Sequence, residues 1–201
     1  GCDIEYIEKK GFPPLKINGK NISSNSVTLP ANVSSQYISS LMMLGLSLKN
    51  GLKIILSSKV TSLPYILMTK KIIERIGGIV KIQNRKIFIE PFKEKVIPEQ
   101  FVESDWSSAS YFFSFAALSK SVNLTLSKFS KDSLQGDSIL VDIYKKFGIE
   151  TIFGDEKIIL RKNKISFPKS IHLNLRDNPD LAQTILITCL GLKIDCKLEG
   201  L

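Results

Sequence analysis

The apolar residues of this chain recur at helical spacing in five segments. In the first segment, apolar positions and a glycine follow Ile38 by three, four and seven residues, which gives a helix one face to bury. We therefore predict helices over residues 35–48, 64–76, 107–119, 138–147 and 180–192. The second helix is expected to bury Met68, Ile72, Ile73 and Ile76, and the fourth Leu140, Ile143, Tyr144 and Phe147.

Short apolar runs between these helices predict β-strands. They cover residues 52–56, 79–83, 87–90, 122–126, 149–153, 157–161, 171–175 and 193–198. Two hairpins are expected, one turning at Asn84-Arg85 and the other at Gly154-Asp155. Strands that alternate with packed helices give an α/β fold, and the hairpins make its sheets mixed.

The predicted elements recur at a fixed interval. The helix starts at Ser35, Ser107 and Asp180 are 72 and 73 residues apart, and those near Tyr65 and Ser138 are 73 residues apart. A fixed period indicates one supersecondary unit used several times. We therefore predict repeated βαβαββ units of about 73 residues.

Composition limits the kinds of site to expect. Three scattered cysteines (Cys2, Cys189 and Cys196) and the single histidine, His172, argue against a disulfide framework or a zinc site and favour reduced thiols in a cytoplasmic protein. The longest apolar runs, residues 41–48 and 111–118, are shorter than the roughly 20 residues that cross a bilayer. The chain opens without an initiator Met and reads as an internal fragment of a longer protein.

The net charge of +9 permits either nucleic-acid binding or small anionic substrates. Its lysines are dispersed, however, and no aromatic-plus-basic motif of an RNA-binding sheet is present. Most of these lysines are expected to lie on solvated surfaces, and no nucleic-acid partner is predicted.

Two helix starts carry polar residues that an anionic ligand needs. Ser34, Ser35 and Gln36 place two hydroxyls and an amide where free backbone N–H groups and the helix dipole attract negative charge. An ordinary Ser N-cap explains one of the serines but not all three residues. Ser62 and Tyr65 form a second such corner at the next helix.

Asp180 allows two interpretations. A carboxylate at a helix start is a good N-cap, and spacing alone favours that role. The functional interpretation is a carboxylate that binds substrate hydroxyls or accepts a proton. The segment at residues 103–108, Glu-Ser-Asp-Trp-Ser-Ser, is open to the same two interpretations.

Taken together, five motifs spread over the chain resemble the 5-enolpyruvylshikimate-3-phosphate (EPSP) synthase family. In order, they are Ser34-Ser35-Gln36-Tyr37, Ser62-x-Pro64-Tyr65, Glu103-x-Asp105-x-Ser107-Ser108-Ala109-Ser110-Tyr111-Phe112, Gln135-Gly136-Asp137 and Pro179-Asp180-x-Ala182-x-Thr184. The resemblance implies two lobes, of which residues 1–103 and 104–201 would be parts. It also implies transfer of the enolpyruvyl group of phosphoenolpyruvate to the 5-hydroxyl of shikimate 3-phosphate, by a monomer without metal or cofactor.

The resemblance also assigns roles to individual residues. It implies that Ser34, Ser35 and Ser62 hold the shikimate phosphate and that Tyr65 lines the shikimate ring. Gln36 would reach towards phosphoenolpyruvate, and Asp180 would bind the shikimate hydroxyls and act as the base. The segment around Glu103 would cross between the lobes, which makes its polarity structural.

The chain departs from the family pattern by lacking the cationic residues that bind phosphoenolpyruvate. We therefore expect these 201 residues alone to be inactive and to expose apolar surface. Two other readings stay open at this point: a UDP-N-acetylglucosamine enolpyruvyl transferase, and an enzyme similar to RNA 3′-phosphate cyclase. A non-catalytic structural domain is a third.

Overall fold

A computed structural model describes residues 3–30, 34–58, 63–93 and 99–201. The helices are α1 (Ser35–Ser47), α2 (Leu63–Arg75), α3 (Trp106–Leu118), α4 (Leu140–Lys145) and α5 (Ala182–Leu192). Two 3-10 turns, Gly136–Ile139 and Pro179–Leu181, lead directly into α4 and α5. The strands are β1 (Asp3–Tyr6), β2 (Leu15–Asn18), β3 (Ser26–Leu29), β4 (Leu52–Leu56), β5 (Val80–Gln83), β6 (Lys86–Ile89), β7 (Asn123–Ser127), β8 (Ile149–Gly154), β9 (Lys157–Lys162), β10 (Ser170–Asn174) and β11 (Asp195–Glu199).

A four-stranded mixed sheet organises the first half of the chain. Its strand order is β3-β4-β6-β5, with β3 parallel to β4 and β6 antiparallel to both of its neighbours. Strands β3, β4 and β5 all run in the same direction. The helices that connect them, α1 and α2, therefore run antiparallel to these strands. The two helices therefore start at the same end of the sheet, and a 2.8 Å hydrogen bond from the Thr69 hydroxyl to the Ser39 hydroxyl joins them.

The second half contains a three-stranded sheet and a two-stranded sheet. In the order β7-β9-β8, strand β9 is antiparallel to both neighbours, as β6 is in the first sheet. Strands β10 and β11, which precede and follow α5 in the sequence, pair in parallel. The β7–β8–β9 group thus repeats the pairing of β4–β5–β6.

The buried apolar residues form two separate cores. One is built from α1, α2 and the four-stranded sheet, between residues 27 and 89. The other lies between residues 106 and 198, and aromatic rings fill it: Phe113 and Phe147 both contact the Tyr144 ring edge-on, at centroid distances of 5.5 and 5.2 Å. The cores fall on either side of residue 103, where the lobe boundary is predicted.

The predicted α/β class is confirmed, and the five helices and both hairpins form within a few residues of their predicted positions. The first hairpin turns where predicted, with positive φ at Asn84 and Arg85. The predicted turn at Gly154-Asp155 is wrong by one residue, because Gly154 pairs with Lys157 and leaves Asp155-Glu156 as the turn. Strands β1, β2 and β3 were not predicted, since they bury no residue fully and carry no strong apolar run.

The apolar face predicted for the second helix is partly wrong. The residues of α2 that enter the core are Ile66 and Ile73, whereas Ile72 is 48% exposed. Met68 and Ile72 belong to a different face of the helix, which lines a cavity at the junction of the two cores. By contrast, α4 and its flanking turn bury Leu140, Ile143, Tyr144 and Phe147 as predicted.

The expected exposed apolar surface is present on α3 and α5. Its members, which we call the α3–α5 apolar face, are at least 48% exposed: Tyr111, Phe112, Phe115, Leu186, Ile187 and Leu190. In the described part of the chain, no helix is both long enough and apolar enough to cross a membrane.

Candidate active site at a cluster of helix starts

The start of α1 offers backbone donors without a competing negative charge. Ser34 is the N-cap, and its hydroxyl accepts a 3.2 Å hydrogen bond from the Gln36 N–H. Ser35 is 7% exposed, Gln36 is exposed, and no acidic residue lies in the first turn. The positive end of the helix dipole is therefore not neutralised by the helix itself, which favours an anionic ligand.

The start of α2 lies at the same end of the first sheet. Its first turn also lacks an acidic residue, and it carries the partly buried Tyr65. Ser62, the other predicted site residue here, lies outside the described residues. The two helix starts thus place Ser34, Gln36 and Tyr65 at one edge of the first core.

Tyr65 connects this edge to the second core. Its hydroxyl donates a hydrogen bond to Oδ2 of Asp180 over 3.4 Å, between residues 115 positions apart in the sequence. Burial raises the pKa of Tyr65 well above its ordinary value, and the negative charges of Asp137 and Asp180 raise it further. The phenol therefore remains a protonated donor at neutral pH.

Asp180 does not cap the helix that follows it. It lies in the 3-10 turn before α5; Asn178 is the N-cap of that turn and Leu181 is the N-cap of α5, and neither start has a side-chain capping hydrogen bond. The capping role favoured by spacing alone is therefore wrong. The exposed carboxylate is instead directed at the Tyr65 hydroxyl, where it is accessible to a ligand.

Asp137 lies beside this cluster of helix starts and was not predicted from the sequence as a site residue, although it belongs to the Gln135-Gly136-Asp137 motif. It is 2% exposed, and its carboxylate accepts hydrogen bonds from the Ser107 hydroxyl at 2.6 Å and the Asn178 amide at 3.0 Å. The signal in the sequence was weak, because Gly136-Asp137 looks like an ordinary turn before a helix.

The segment at residues 103–108 makes structural hydrogen bonds. The Glu103 carboxylate accepts hydrogen bonds from the Trp106 indole N–H, the Ser130 backbone N–H and the Ser133 hydroxyl, at 2.6–3.0 Å. Asp105 is the N-cap of α3 and accepts from the backbone N–H groups of Ser107 and Ser108. These two carboxylates fix the start of the second core.

A cavity of about 470 Å³ adjoins the site at the junction of the cores. Its walls come from α2, from residues 100–107 and from residues 130–137, and they include Tyr65, Arg75, Ser107 and Asp137. In the described part of the chain, no three His, Cys, Asp or Glu side chains are grouped to hold a metal ion. Cys189 and Cys196 are both free thiols.

The structure therefore brings four helix starts together. Tyr65 at the start of α2 meets Asp180 ahead of α5, and Ser107 at the start of α3 meets Asp137 ahead of α4. Among the described residues, no hydrogen bond joins Ser34, Ser35 or Gln36 to Asp180. These three residues are related to Asp180 through their position, because they lie at the same end of the first sheet as Tyr65, which contacts Asp180.

Comparison with known proteins places this arrangement in a family. The chain is 38% identical over its whole length to 3-phosphoshikimate 1-carboxyvinyltransferase of Bacteroides fragilis, and 33% identical over 96% of its length to that of Vibrio cholerae. It covers 49% and 45% of those proteins, so it spans about half the length of the curated relatives it matches.

Structural comparison agrees on the fold. An EPSP synthase of Acinetobacter baumannii matches 92% of this chain, with a TM-score of 0.55 and 20% identity, and the chain covers 42% of that structure. The family model of EPSP synthase (3-phosphoshikimate 1-carboxyvinyltransferase) matches residues 1–201. This chain belongs to the EPSP synthase family.

Proposed function

We propose that the protein containing this chain transfers the enolpyruvyl group of phosphoenolpyruvate to the 5-hydroxyl of shikimate 3-phosphate and releases phosphate. The observation that carries the proposal is the 3.4 Å contact between Tyr65 and Asp180, made where helix starts from both cores converge. Curated relatives that match the whole chain or nearly all of it carry the name of this transferase.

The first core supplies the proposed binding site for the substrate phosphate. Ser34, Ser35 and Ser62 are assigned to the phosphate of shikimate 3-phosphate, and Gln36 to the side facing phosphoenolpyruvate. Support comes from the starts of α1 and α2, which lie at one end of the sheet and carry no acidic residue in their first turns. Backbone N–H groups and dipoles at such helix starts favour polyanions.

Tyr65 and Asp180 are assigned to the ring and to the proton transfer. Tyr65 lines the shikimate ring, and Asp180 binds the shikimate hydroxyls and accepts the proton of the attacking one. The exposure of Asp180 supports this role, because a general base must reach the proton it removes. A site that holds the two polyanionic substrates in the right geometry makes a bimolecular step effectively unimolecular.

The other two enzyme classes considered from the sequence are not favoured by the family match. The two-lobe division at residue 103, the repeat of about 73 residues, the monomeric state and the cytoplasmic location stay predictions. So does the absence of a nucleic-acid partner.

Calorimetric titration of shikimate 3-phosphate into this chain and into Ser34→Ala and Asp180→Ala tests the site. Both substitutions are expected to weaken binding, whereas Asp155→Ala, in an exposed hairpin turn, is not. Equal affinity in all variants contradicts the site assignment. A full-length protein that releases no phosphate from the two substrates contradicts the proposed reaction.

A further inference from the structure

We propose that Asp137 is a positioning residue that sets the direction of the Asp180 carboxylate through Asn178. The proposal rests on the proposed function, since it takes Asp180 as the base. The observation that supports it is the hydrogen bond between the buried Asp137 carboxylate and Asn178, which begins the turn that contains Asp180.

The burial of Asp137 makes its hydrogen bonds important. The residue is 2% exposed, and no lysine or arginine forms an ion pair with it in the described part of the chain. A buried carboxylate without a cation is stable only when hydrogen bonds replace its hydration. Ser107 supplies one bond to Oδ2 and Asn178 one to Oδ1, so losing either donor leaves a costly unsatisfied group.

Asn178 transmits this constraint to the turn. Its backbone N–H donates to the Leu175 carbonyl at 2.9 Å, and its own carbonyl accepts from the Leu181 N–H at 3.2 Å. Its side chain is held by Asp137, so both ends of the residue are fixed. Asp180 lies two residues further on, inside the turn that these bonds close.

Asp180 itself has few constraints. It is exposed, and its one side-chain hydrogen bond among the described residues is the 3.4 Å contact with Tyr65. The direction of its carboxylate therefore depends on the backbone of the turn. Because a displacement of about 1 Å at a reacting group can lower the rate by about a hundredfold, releasing the turn from Asp137 should lower kcat more than it lowers substrate affinity.

An Asn178→Asp variant of the full-length protein tests this role. It places two carboxylates about 3 Å apart, where one must bind a proton or the turn must move. We expect kcat for phosphate release to fall at least about tenfold at pH 8 and to recover as the pH is lowered, while KM for shikimate 3-phosphate changes less. Among the described residues, the other titratable groups that line the adjoining cavity are Tyr65, Arg75, Glu103, Asp105 and Asp132, and Asp180 accepts a hydrogen bond from Tyr65.

A double variant that exchanges the two side chains distinguishes a positioning role of Asp137 from a general loss of stability. Asp137→Asn combined with Asn178→Asp restores an amide that faces a carboxylate, with the partners reversed, and is expected to return kcat to within about threefold of wild type. The matched control is Asn163→Asp, an exposed amide 3.5 Å from the Glu150 carboxylate, which should leave kcat unchanged.

Full kcat in Asn178→Asp at pH 8, or an exchanged variant as impaired as the single one, overturns the role of Asp137. If Asn178→Asp does not fold, Asn178→Ala replaces it, since it removes the donor without adding a charge; full kcat in that variant likewise overturns the role. An inactive wild type contradicts the proposed function, whereas an active wild type with an unaffected Asn178→Asp contradicts this inference alone.

Discussion

Gly136 lies so close to Pro64 that only a glycine fits between the two cores at this point. A Cβ added to Gly136 would lie 2.7 Å from the Cβ of Pro64 and 3.2 Å from Nδ2 of Asn178. Pro64 directly precedes Tyr65, and Gly136 directly precedes Asp137. The missing side chain thus permits the approach that brings Tyr65, Asp137 and Asp180 together.

Gly136→Ala should separate these elements. The new methyl group meets a rigid proline ring, so we expect a loss of about 2 kcal/mol in the free energy of unfolding, typical of overpacking, together with weaker binding of shikimate 3-phosphate. Urea denaturation and calorimetric titration measure the two effects. Gly19→Ala is the control, because nothing lies within 4 Å of its added Cβ. Wild-type behaviour of Gly136→Ala would show that the contact does not constrain the site.

Tyr65→Phe removes the hydroxyl that contacts Asp180. A hydrogen bond to a charged group at this partly exposed position is worth about 1 kcal/mol, so we expect kcat/KM of the full-length protein to fall about fivefold while the fold is kept. Steady-state kinetics and circular dichroism measure the two expectations. Tyr37→Phe, on an exposed tyrosine of α1, provides the comparison and should behave as wild type.

The raised pKa of Tyr65 should also make the free energy of unfolding depend on pH in the alkaline range. The pKa of Tyr65 is raised in the folded protein, first by burial and then by Asp137 and Asp180. Above pH about 10, the unfolded chain therefore releases this proton while the folded chain keeps it, and stability falls as the pH rises. Between pH 8 and pH 10.5, the unfolding free energy of wild type should fall relative to that of Tyr65→Phe. A constant difference contradicts the raised pKa.

Asp105 should stabilise α3 in a pH-dependent way. Burial alone would raise its pKa, but hydrogen bonds from the Ser108 hydroxyl and the backbone N–H groups of Ser107 and Ser108 outweigh burial and lower it. Asp105→Ala is expected to cost about 1 kcal/mol of unfolding free energy at pH 7, as the loss of an N-cap does.

Because the pKa of Asp105 is lowered on folding, its contribution is present above pH about 4 and is lost as the pH falls through the folded-state pKa. The difference between wild type and Asp105→Ala in urea denaturation should therefore shrink from pH 7 to pH 3. Asp155→Ala, in the exposed β8–β9 turn, should show no such trend. An equal difference at both pH values would contradict the capping role.

The α3–α5 apolar face should make this 201-residue chain associate. Phe115 is 64% and Leu190 is 74% exposed, and a surface with several such neighbours is a site of association. We expect species larger than the monomer in sedimentation velocity at increasing concentration. Phe115→Lys with Leu190→Lys should return the chain towards the monomer, whereas Ile17→Lys, on the β1–β2 hairpin, should not. A wild-type chain that is monomeric throughout contradicts this prediction.

Several features of this protein were predictable from the sequence because they depend on neighbouring residues. The helical spacing after Ile38 and the core positions of Tyr144 and Phe147 follow from periodicity, and the hairpin at Asn84-Arg85 follows from turn chemistry. The Ser34 N-cap is equally local. The family resemblance also needed the sequence alone, since it rests on the order of five motifs.

Only the tertiary structure decided which residues meet. Periodicity could not tell that Ile72 faces the cavity while Ile73 enters the core, because α2 has apolar residues on two faces. Spacing alone favoured a capping role for Asp180, and only the tertiary structure shows its contact with Tyr65, 115 residues away. Such contacts depend on how two separate cores approach one another. In the first sheet, the parallel strands β3 and β4 place the starts of α1 and α2 at one end, and the missing side chain of Gly136 allows Pro64, at the start of α2, to approach the second core.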